Sequence, residues 1–240
     1  SSLPVTFRLP HIELPLGCHI EDTVMVGVGG SDAMDFHALE ALQCMLERRH
    51  GGETGVRSVR LVDGDEVWQA GRDGRWSRRL LESALARSDS RTGRSIEDGH
   101  PQDLTHNGEL ESLASAPSAY FIEYNDGLKA TLLMLDGAVQ DYTFAAKIQG
   151  IPEVQSTQFL LPPSPNVTYS ACLMAAAETL FESGVAPFPV DRTLLTSGIL
   201  DRCLDSRQQG HERVDTPELC VRYQQPEESN FCGEGNYEHG

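Results

Sequence analysis

The stretch "AYFIEYNDGLKATLLMLDGAVQDYTFAAKI" (Ala119–Ile148) decides the fold class of this 240-residue chain. It contains three extended runs in which apolar residues are broken by polar ones, a pattern typical of half-buried strands. Asn-Asp-Gly (125–127) joins the first two runs and Asp-Gly-Ala (136–138) the next two, and short turns of this kind favour hairpins. With a fourth run at Glu153–Leu161, the sequence predicts a four-stranded antiparallel meander.

Helical and extended patterns surround this region. Between Gly29 and Gly52, apolar residues recur at helical spacing and a pair of glycines stands at each end. Trp68 and Trp76 mark a later segment as packed rather than solvated. The patterns predict extended structure within residues 3–28, helices at Ala33–Arg49, Tyr169–Ser183 and Asp191–Ser206, two short helices in 65–87, a strand at Thr54–Gly64 and a final strand within Arg213–Tyr223.

This order of elements predicts an α+β fold, a mainly antiparallel sheet with helices packed on one face. We expect residues 1–223 to form a single domain. Within it, the polar stretch 88–117 has the length and composition of a surface loop or lid. Residues 224–240 are acidic and polar, and we expect them to form a loosely held tail.

The net charge of −17, from 36 acidic and 19 basic residues, limits the partners of the chain. It repels nucleic-acid phosphates, so we expect no nucleic-acid partner unless a bound divalent cation reverses the local field. It also argues against an anionic membrane surface, so we expect no membrane partner. No apolar run approaches the roughly 18–20 residues of a membrane span. The chain begins Ser-Ser-Leu-Pro without Met or signal peptide, so we expect a processed product or fragment. The compartment is left open, with the cytoplasm favoured.

The six cysteines show no CxxC pair or other metal-binding spacing. Cys44 and Cys203 lie within predicted helices, where a buried thiol is the common state. We therefore expect mostly free thiols. The sequon at Asn166 would carry a glycan only if the chain were secreted.

Two separated motifs are similar to a known superfamily. In "DFHALE" a histidine, His37, follows a glycine pair and precedes an acid, Glu40, by three residues. In "LDSRQQGHERV" the residues Ser206, Gly210 and Val214 stand four apart. Together with the element order, these motifs resemble the C-terminal domain of the glucose–fructose oxidoreductase / inositol dehydrogenase / MocA superfamily.

The likeness extends to uncharacterised bacterial members through "SSLPVT", "ELPLGC", "FHALEALQCM" and "GGETGV". In those proteins a nucleotide-binding-like half precedes the segment that resembles "SSLPVT". The resemblance implies a small-molecule ligand that is sugar-like or carboxylated, and a homo-oligomer formed through the sheet. It also raises a separate N-terminal half as a partner.

Three departures from the superfamily argue against a stand-alone dehydrogenase. "GVGG" (27–30) lacks the GxGxxG spacing of a dinucleotide site, and the lysine of the superfamily's Glu-Lys-Pro segment is missing. Ala33 stands where the superfamily favours an acid. We therefore expect no NAD or NADP binding and no cofactor in the isolated chain, with a divalent metal as the alternative, and whether the chain is an enzyme stays open.

His37 and Glu40 are the candidate catalytic residues. On a helix they form one stripe with Cys44 and Glu47, and a neutral imidazole near a helix N-terminus can take up a proton. We expect His37 to line the principal cavity; the alternative is a packed histidine beside solvated acids.

Arg192 is a cation at the start of the last predicted helix, where the helix dipole disfavours positive charge. It therefore needs a partner, either a carboxylate of the fold or an anionic ligand. The candidate ligand-binding residues are Asp35, Tyr142, Lys147 and Arg192.

Two classes of function follow. The first is a ligand-binding or assembly module that resembles an oxidoreductase substrate domain. The second is a metal-dependent hydrolase in which His37, Glu40, His50 and Glu53 hold a divalent cation that activates water against an ester or phosphodiester. A solvated turn at 50–53 is the alternative to that metal site.

Overall fold

The computed structural model describes residues 1–92, 104–106, 108–162 and 167–232, and it confirms an α+β fold around a mostly antiparallel, mixed sheet. Eight strands lie in the order β1-β7-β6-β2-β5-β4-β3-β8. Their bounds are β1 Arg8–Leu9, β2 Ile20–Gly27, β3 Val56–Asp63, β4 Ser118–Tyr124, β5 Lys129–Met134, β6 Tyr142–Ile148, β7 Gln155–Phe159 and β8 Val214–Asp215.

The predicted four-stranded meander is not confirmed. The pairs β4–β5 and β6–β7 are antiparallel neighbours, but β2 lies between β5 and β6. It runs parallel to β5 and antiparallel to β6. Val24, Met25 and Val26 are all completely buried, and a strand that is apolar on both faces is stable only in the middle of a covered sheet.

Helices cover both faces of the sheet, which corrects the prediction of one covered face. Alternation sends Met25 to one side and Val24 to the other, and each joins a separate apolar cluster. The first side is covered by α1 (Asp32–Leu46) and α6 (Val190–Gln208), the second by α2 (Asp65–Arg72), α3 (Arg78–Leu85) and the short α4 (Glu109–Leu113). Trp68 in α2 and Trp76 in the connection before α3 are both buried, as predicted.

The fifth helix, α5 (Thr168–Ser183), lies beside the N-terminal segment. Cys172 packs there against Val5 and Phe7, and its sulfur forms a disulfide with Cys232. The other four cysteines are free, and Cys44 and Cys203 are buried.

The described part of the tail, residues 224–232, contacts the rest of the domain, and the loosely held tail over 224–240 stays a prediction. Besides the disulfide, the Phe231 ring lies 3.9 Å from the Arg8 guanidinium, and the Ser229 amide donates to Glu13 at 2.7 Å. Residues 233–240 and the sequon residue Asn166 lie outside the described residues.

The stretch 88–117 contributes buried leucines to the core, and its role as a surface loop or lid stays a prediction. Leu104 and Leu110 are buried in the cluster beneath α2 and α3. Residues 93–103 and 107 lie outside the described residues. Among the helices of the described ranges, none combines the length and apolar character that crossing a membrane requires.

Candidate functional site

A cavity of about 560 Å³ lies over the part of the second sheet face that α2 and α3 leave uncovered. We call it the sheet-face cavity. Strands β3, β4 and β5 form its floor, the α2–α3 connection forms one wall, and the turn after α6 forms another. The side chains that line it are Ser58, Arg60, Arg75, Phe121, Glu123, Lys129, Thr131, Glu212 and Arg213.

Strand register explains why these side chains meet. Phe121 of β4 lies beside Arg60 of β3 and beside Thr131 of β5, and Glu123 lies opposite Lys129. Every second residue of a strand points to the same face, so these positions continue the face that α2 and α3 cover further along. The cavity floor is therefore a partly exposed aromatic ring surrounded by polar and charged groups.

The side chains in the lining of the cavity, taken alone, carry a net positive charge in a chain that is acidic as a whole. Four cationic side chains, Arg60, Arg75, Lys129 and Arg213, face two acidic ones in the lining, whereas the chain carries −17. Arg60 pairs with Glu66 at 3.5 Å, and Arg213 lies 3.7 Å from Glu123 and 3.1 Å from Asp215.

The remaining two cations are free for a ligand. Within the described ranges, Arg75 and Lys129 form no ion pair, and both side chains are exposed. An anion that reached either cation would therefore not have to displace a protein carboxylate.

The motif "LDSRQQGHERV" builds the second wall. At the end of α6, the His211 amide donates to the Ser206 carbonyl at 2.8 Å and the Gly210 amide to the Arg207 carbonyl at 3.2 Å, with Gly210 at φ +77°. This is a Schellman motif, which requires a residue that tolerates positive φ. The Ser206 hydroxyl bonds to both the Leu61 amide and the Glu212 carbonyl. The motif thus fixes the turn that carries Glu212 and Arg213.

A second cavity of about 420 Å³ lies at the start of α1. Asp35 lines it and accepts a hydrogen bond from the Tyr120 hydroxyl. Burial raises the pKa of the Asp35 carboxyl. Asp63 and Arg207, also in the lining, form a bidentate pair at 2.8 and 3.0 Å. The lining contains three acidic side chains and one basic side chain, and the basic one, Arg207, binds one of the acids.

His37 and Glu40 lie away from both cavities. The His37 ring is half-buried, with Nδ1 3.0 Å from the Ser1 hydroxyl, and burial lowers the pKa of the ring. Glu40 is buried and accepts hydrogen bonds from the Thr196 hydroxyl and, at 3.3 Å, from that of Thr193. The Glu40 carboxylate therefore ties α1 to α6. Neither cavity has His37 in its lining, and a catalytic role for His37 stays a prediction.

Glu47 and Arg192 form a buried ion pair between the same two helices. The guanidinium donates twice, from Nε to Oε2 at 2.9 Å and from Nη2 to Oε1 at 2.6 Å, and the Tyr223 hydroxyl donates to Oε2 at 2.8 Å. Burial opposes the charge of Arg192, but the hydrogen bonds with Glu47 outweigh it and raise the pKa of the guanidinium. The partner of Arg192 is thus a carboxylate of the fold, and Glu47 is not the solvated acid that was considered.

Tyr142 and Lys147 point to opposite faces of β6. Tyr142 is buried, with its hydroxyl 3.4 Å from the Met34 carbonyl, whereas Lys147 is exposed and pairs with Glu21 at 2.6 Å. Of the four candidate ligand-binding residues, only Asp35 lines one of the two cavities, and the structure does not bring the four together.

The proposed metal ligands are also separate. The His50 ring stacks on His19 with centroids 4.6 Å apart, while buried Glu53 binds Arg49 at 3.0 Å. In the described part of the chain, no group of three or more His, Cys, Asp or Glu side chains is placed to hold a metal ion.

Neither a scan against protein-family models nor a search of curated proteins found a match to this chain. The superfamily resemblance of the two motifs therefore stays a prediction. A proposal about the function of this chain therefore depends on the geometry and charge of the described residues.

Proposed function

We propose that this chain is a ligand-binding module whose sheet-face cavity binds a small sugar-like acid through its carboxylate. The observation that carries the proposal is the pair of unpaired cations, Arg75 and Lys129, at a cavity of ligand size in an acidic chain. Small-molecule sites commonly have volumes of about 300–1,000 Å³, and this cavity lies within that range.

The lining suits the two parts of such a ligand. A planar carboxylate can accept a bidentate pair of hydrogen bonds from Arg75 and a charge-assisted bond from Lys129. Phe121 offers an apolar surface to the C–H groups of a sugar ring, and the hydroxyls of Ser58 and Thr131 can bond to ring hydroxyls. A neutral sugar could make the contacts with Phe121, Ser58 and Thr131, but it has no carboxylate for Arg75 and Lys129 to bind.

Because the chain as a whole is acidic, an anionic ligand needs a local positive charge in order to bind. At long range the chain repels an anion, and that repulsion is screened by salt together with the attraction of the cavity. The affinity for an anion should therefore change with ionic strength, whereas the affinity for a neutral sugar should stay unchanged.

Titration calorimetry with glucuronate and with glucose tests the proposal. We expect glucuronate to bind at least about tenfold more tightly, since a hydrogen bond to a charged group contributes roughly 1.5–3 kcal/mol. Arg75→Gln and Lys129→Gln should each remove most of this difference. Lys147→Gln is the matched control, because Lys147 is the only other lysine of the chain and lies outside the cavity. Equal affinity of the two sugars, or equal loss in all three variants, would overturn the proposal.

A further inference from the structure

The last described residues of the chain lie against the N-terminal segment and are tied there by one covalent bond. We call residues 224–232 the C-terminal strap, which forms neither helix nor strand. Its last residue, Cys232, forms the disulfide with Cys172 of α5, and the Cys232 amide donates to the Val5 carbonyl at 3.0 Å. The strap is therefore held by this disulfide and by scattered contacts rather than by a helix or a sheet.

Two arginine side chains lie beneath the strap. The Phe231 ring lies 3.9 Å from the Arg8 guanidinium, and Arg8 is only 1% exposed. Arg48 is 5% exposed and donates to the Ser229 hydroxyl at 3.4 Å and to the Glu227 carbonyl at 3.2 Å. If the strap were released, one face of the Arg8 guanidinium and two donor groups of Arg48 would meet water.

The closed strap buries polar groups that have no partner. Arg8 forms no ion pair within the described ranges, and burial lowers the pKa of its guanidinium. Of the four buried side-chain polar atoms that lack a hydrogen-bond partner among the described residues, two lie at the strap, Arg8 Nε and Gln225 Oε1. Each group removed from water without a partner costs free energy. This cost opposes closure, so the covalent bond has a large share in keeping the strap in place.

The disulfide lies outside the two large apolar clusters of the domain. Cys172 belongs to a third, small cluster with Val5 and Phe7, and the other four cysteines are free. Chains that need disulfides in order to fold are usually small and rich in them, because they bury too little apolar surface. This chain buries apolar side chains on both faces of its sheet. Loss of the bond should therefore free the strap and leave the sheet folded.

We propose that the Cys172–Cys232 disulfide is a redox latch, which a dithiol opens to release the strap and expose Arg8 and Arg48. Cys232 is half-buried and Cys172 is buried, so a thiolate of the dithiol attacks the Cys232 sulfur. The bond between the two cysteines breaks, and the Cys172 sulfur leaves as a thiolate. The second thiol of the dithiol then displaces Cys232. The dithiol is oxidised to a disulfide, and its two protons end on the two reduced cysteines.

Hydrogen–deuterium exchange of the full chain, before and after treatment with dithiothreitol, tests the latch. In the closed strap the Ser229 amide donates to Glu13 at 2.7 Å and the Cys232 amide donates to Val5. We expect peptides from 224–232 to exchange at least about tenfold faster after reduction, because the strap then opens locally, with exchange in β2 unchanged. Thiol counting in denaturant should give four thiols before treatment and six after it.

Modification of exposed arginines by phenylglyoxal provides a second readout. We expect Arg8 and Arg48 to react at least about tenfold faster in the reduced chain, because local opening is what admits the reagent. Arg49 is the internal control, since it is 3% exposed and lies 4.5 Å from the Tyr124 ring, while its carboxylate partner Glu53 lies outside the strap. Its reaction should stay slow in both states.

Cysteine variants separate the bond from other effects of the reductant. Cys232→Ser should exchange without dithiothreitol as the reduced wild type does, and Cys172→Ser provides the same test if Cys232→Ser does not fold. Cys220→Ser is the matched control, because Cys220 is free and exposed, and it should behave like the wild type in both states. Six free thiols in the purified chain, unchanged exchange of the strap after full reduction, or equal acceleration in β2 would overturn the proposal.

Discussion

The Glu47–Arg192 pair allows the sharpest test of how this fold is held together. Both side chains are 2% exposed, and the pair joins α1 to α6 across 145 residues of sequence. Glu47→Gln keeps the shape of the side chain but leaves the Arg192 guanidinium charged and buried beside a neutral amide. The amide can still accept from Tyr223 or from Arg192, but it cannot balance the charge.

The expected loss is large because the guanidinium cannot reach water. Removal of one partner of a buried pair commonly destabilises a protein by about 3–5 kcal/mol. In a chain of this size each kcal/mol lowers the melting temperature by roughly 2–4 °C, so we expect a decrease of about 6–20 °C. The double variant Glu47→Gln/Arg192→Met removes the unpaired charge and should recover much of that loss.

Asp63→Asn provides the matched control. Asp63 and Arg207 have the same bidentate geometry, but their side chains are 37% and 36% exposed, so water replaces the lost partner. Exposed pairs contribute about 0–1 kcal/mol. Urea denaturation of the four proteins measures each change in the free energy of unfolding. If Glu47→Gln and Asp63→Asn destabilise the chain equally, burial is not what makes the first pair important.

Three further predictions concern pH and backbone conformation. Burial raises the pKa of Asp35, so the native state keeps its proton at higher pH than the unfolded chain, and stability falls as pH rises from about 3.9 through the native pKa. Asp35→Asn should reduce this slope in urea titrations, and an unchanged slope would contradict it. Burial lowers the pKa of His37, so its contribution to stability is lost as pH falls from about 6.5 through the native pKa; an NMR titration midpoint at or above 6.5 would refute this. Gly55 has φ +83° and a Cβ there would lie 2.4 Å from the Leu219 carbonyl oxygen, whereas Gly64 has φ +61° and open space. Gly64→Ala should therefore lose on the order of 1 kcal/mol and Gly55→Ala distinctly more, as measured by denaturation midpoints.

The sequence predicted the existence and type of most elements because those signals are local. Alternation marks the strands, and the leucines of α1 mark its apolar face. The place of β2 between two hairpins depends on pairing with strands more than a hundred residues later, and no local pattern encodes that choice.

The candidate site was less predictable for a related reason. The positions of Glu40 and Glu47 on one helical stripe followed from spacing, but their partners lie on α6, about 150 residues away. Arg75 and Lys129 look like ordinary surface cations in the sequence. Only the register of β3, β4 and β5, together with the α2–α3 connection, brings them to one cavity. The "LDSRQQGHERV" motif gave a partial signal, since Gly210 marks the end of α6.

The central position of β2 also sets the order in which this chain can fold. Both of its neighbours, β5 and β6, are synthesised later, so β2 leaves the ribosome with two apolar faces and no strand to pair with. The hairpins β4–β5 and β6–β7 can form from local contacts, whereas the closure of β2 between them must wait for residue 148. Pairings of such sequence separation form slowly, and unpaired apolar strands aggregate. We therefore expect β2, the strand that ends between two later hairpins, to carry the greatest risk of aggregation until residue 148 has been synthesised.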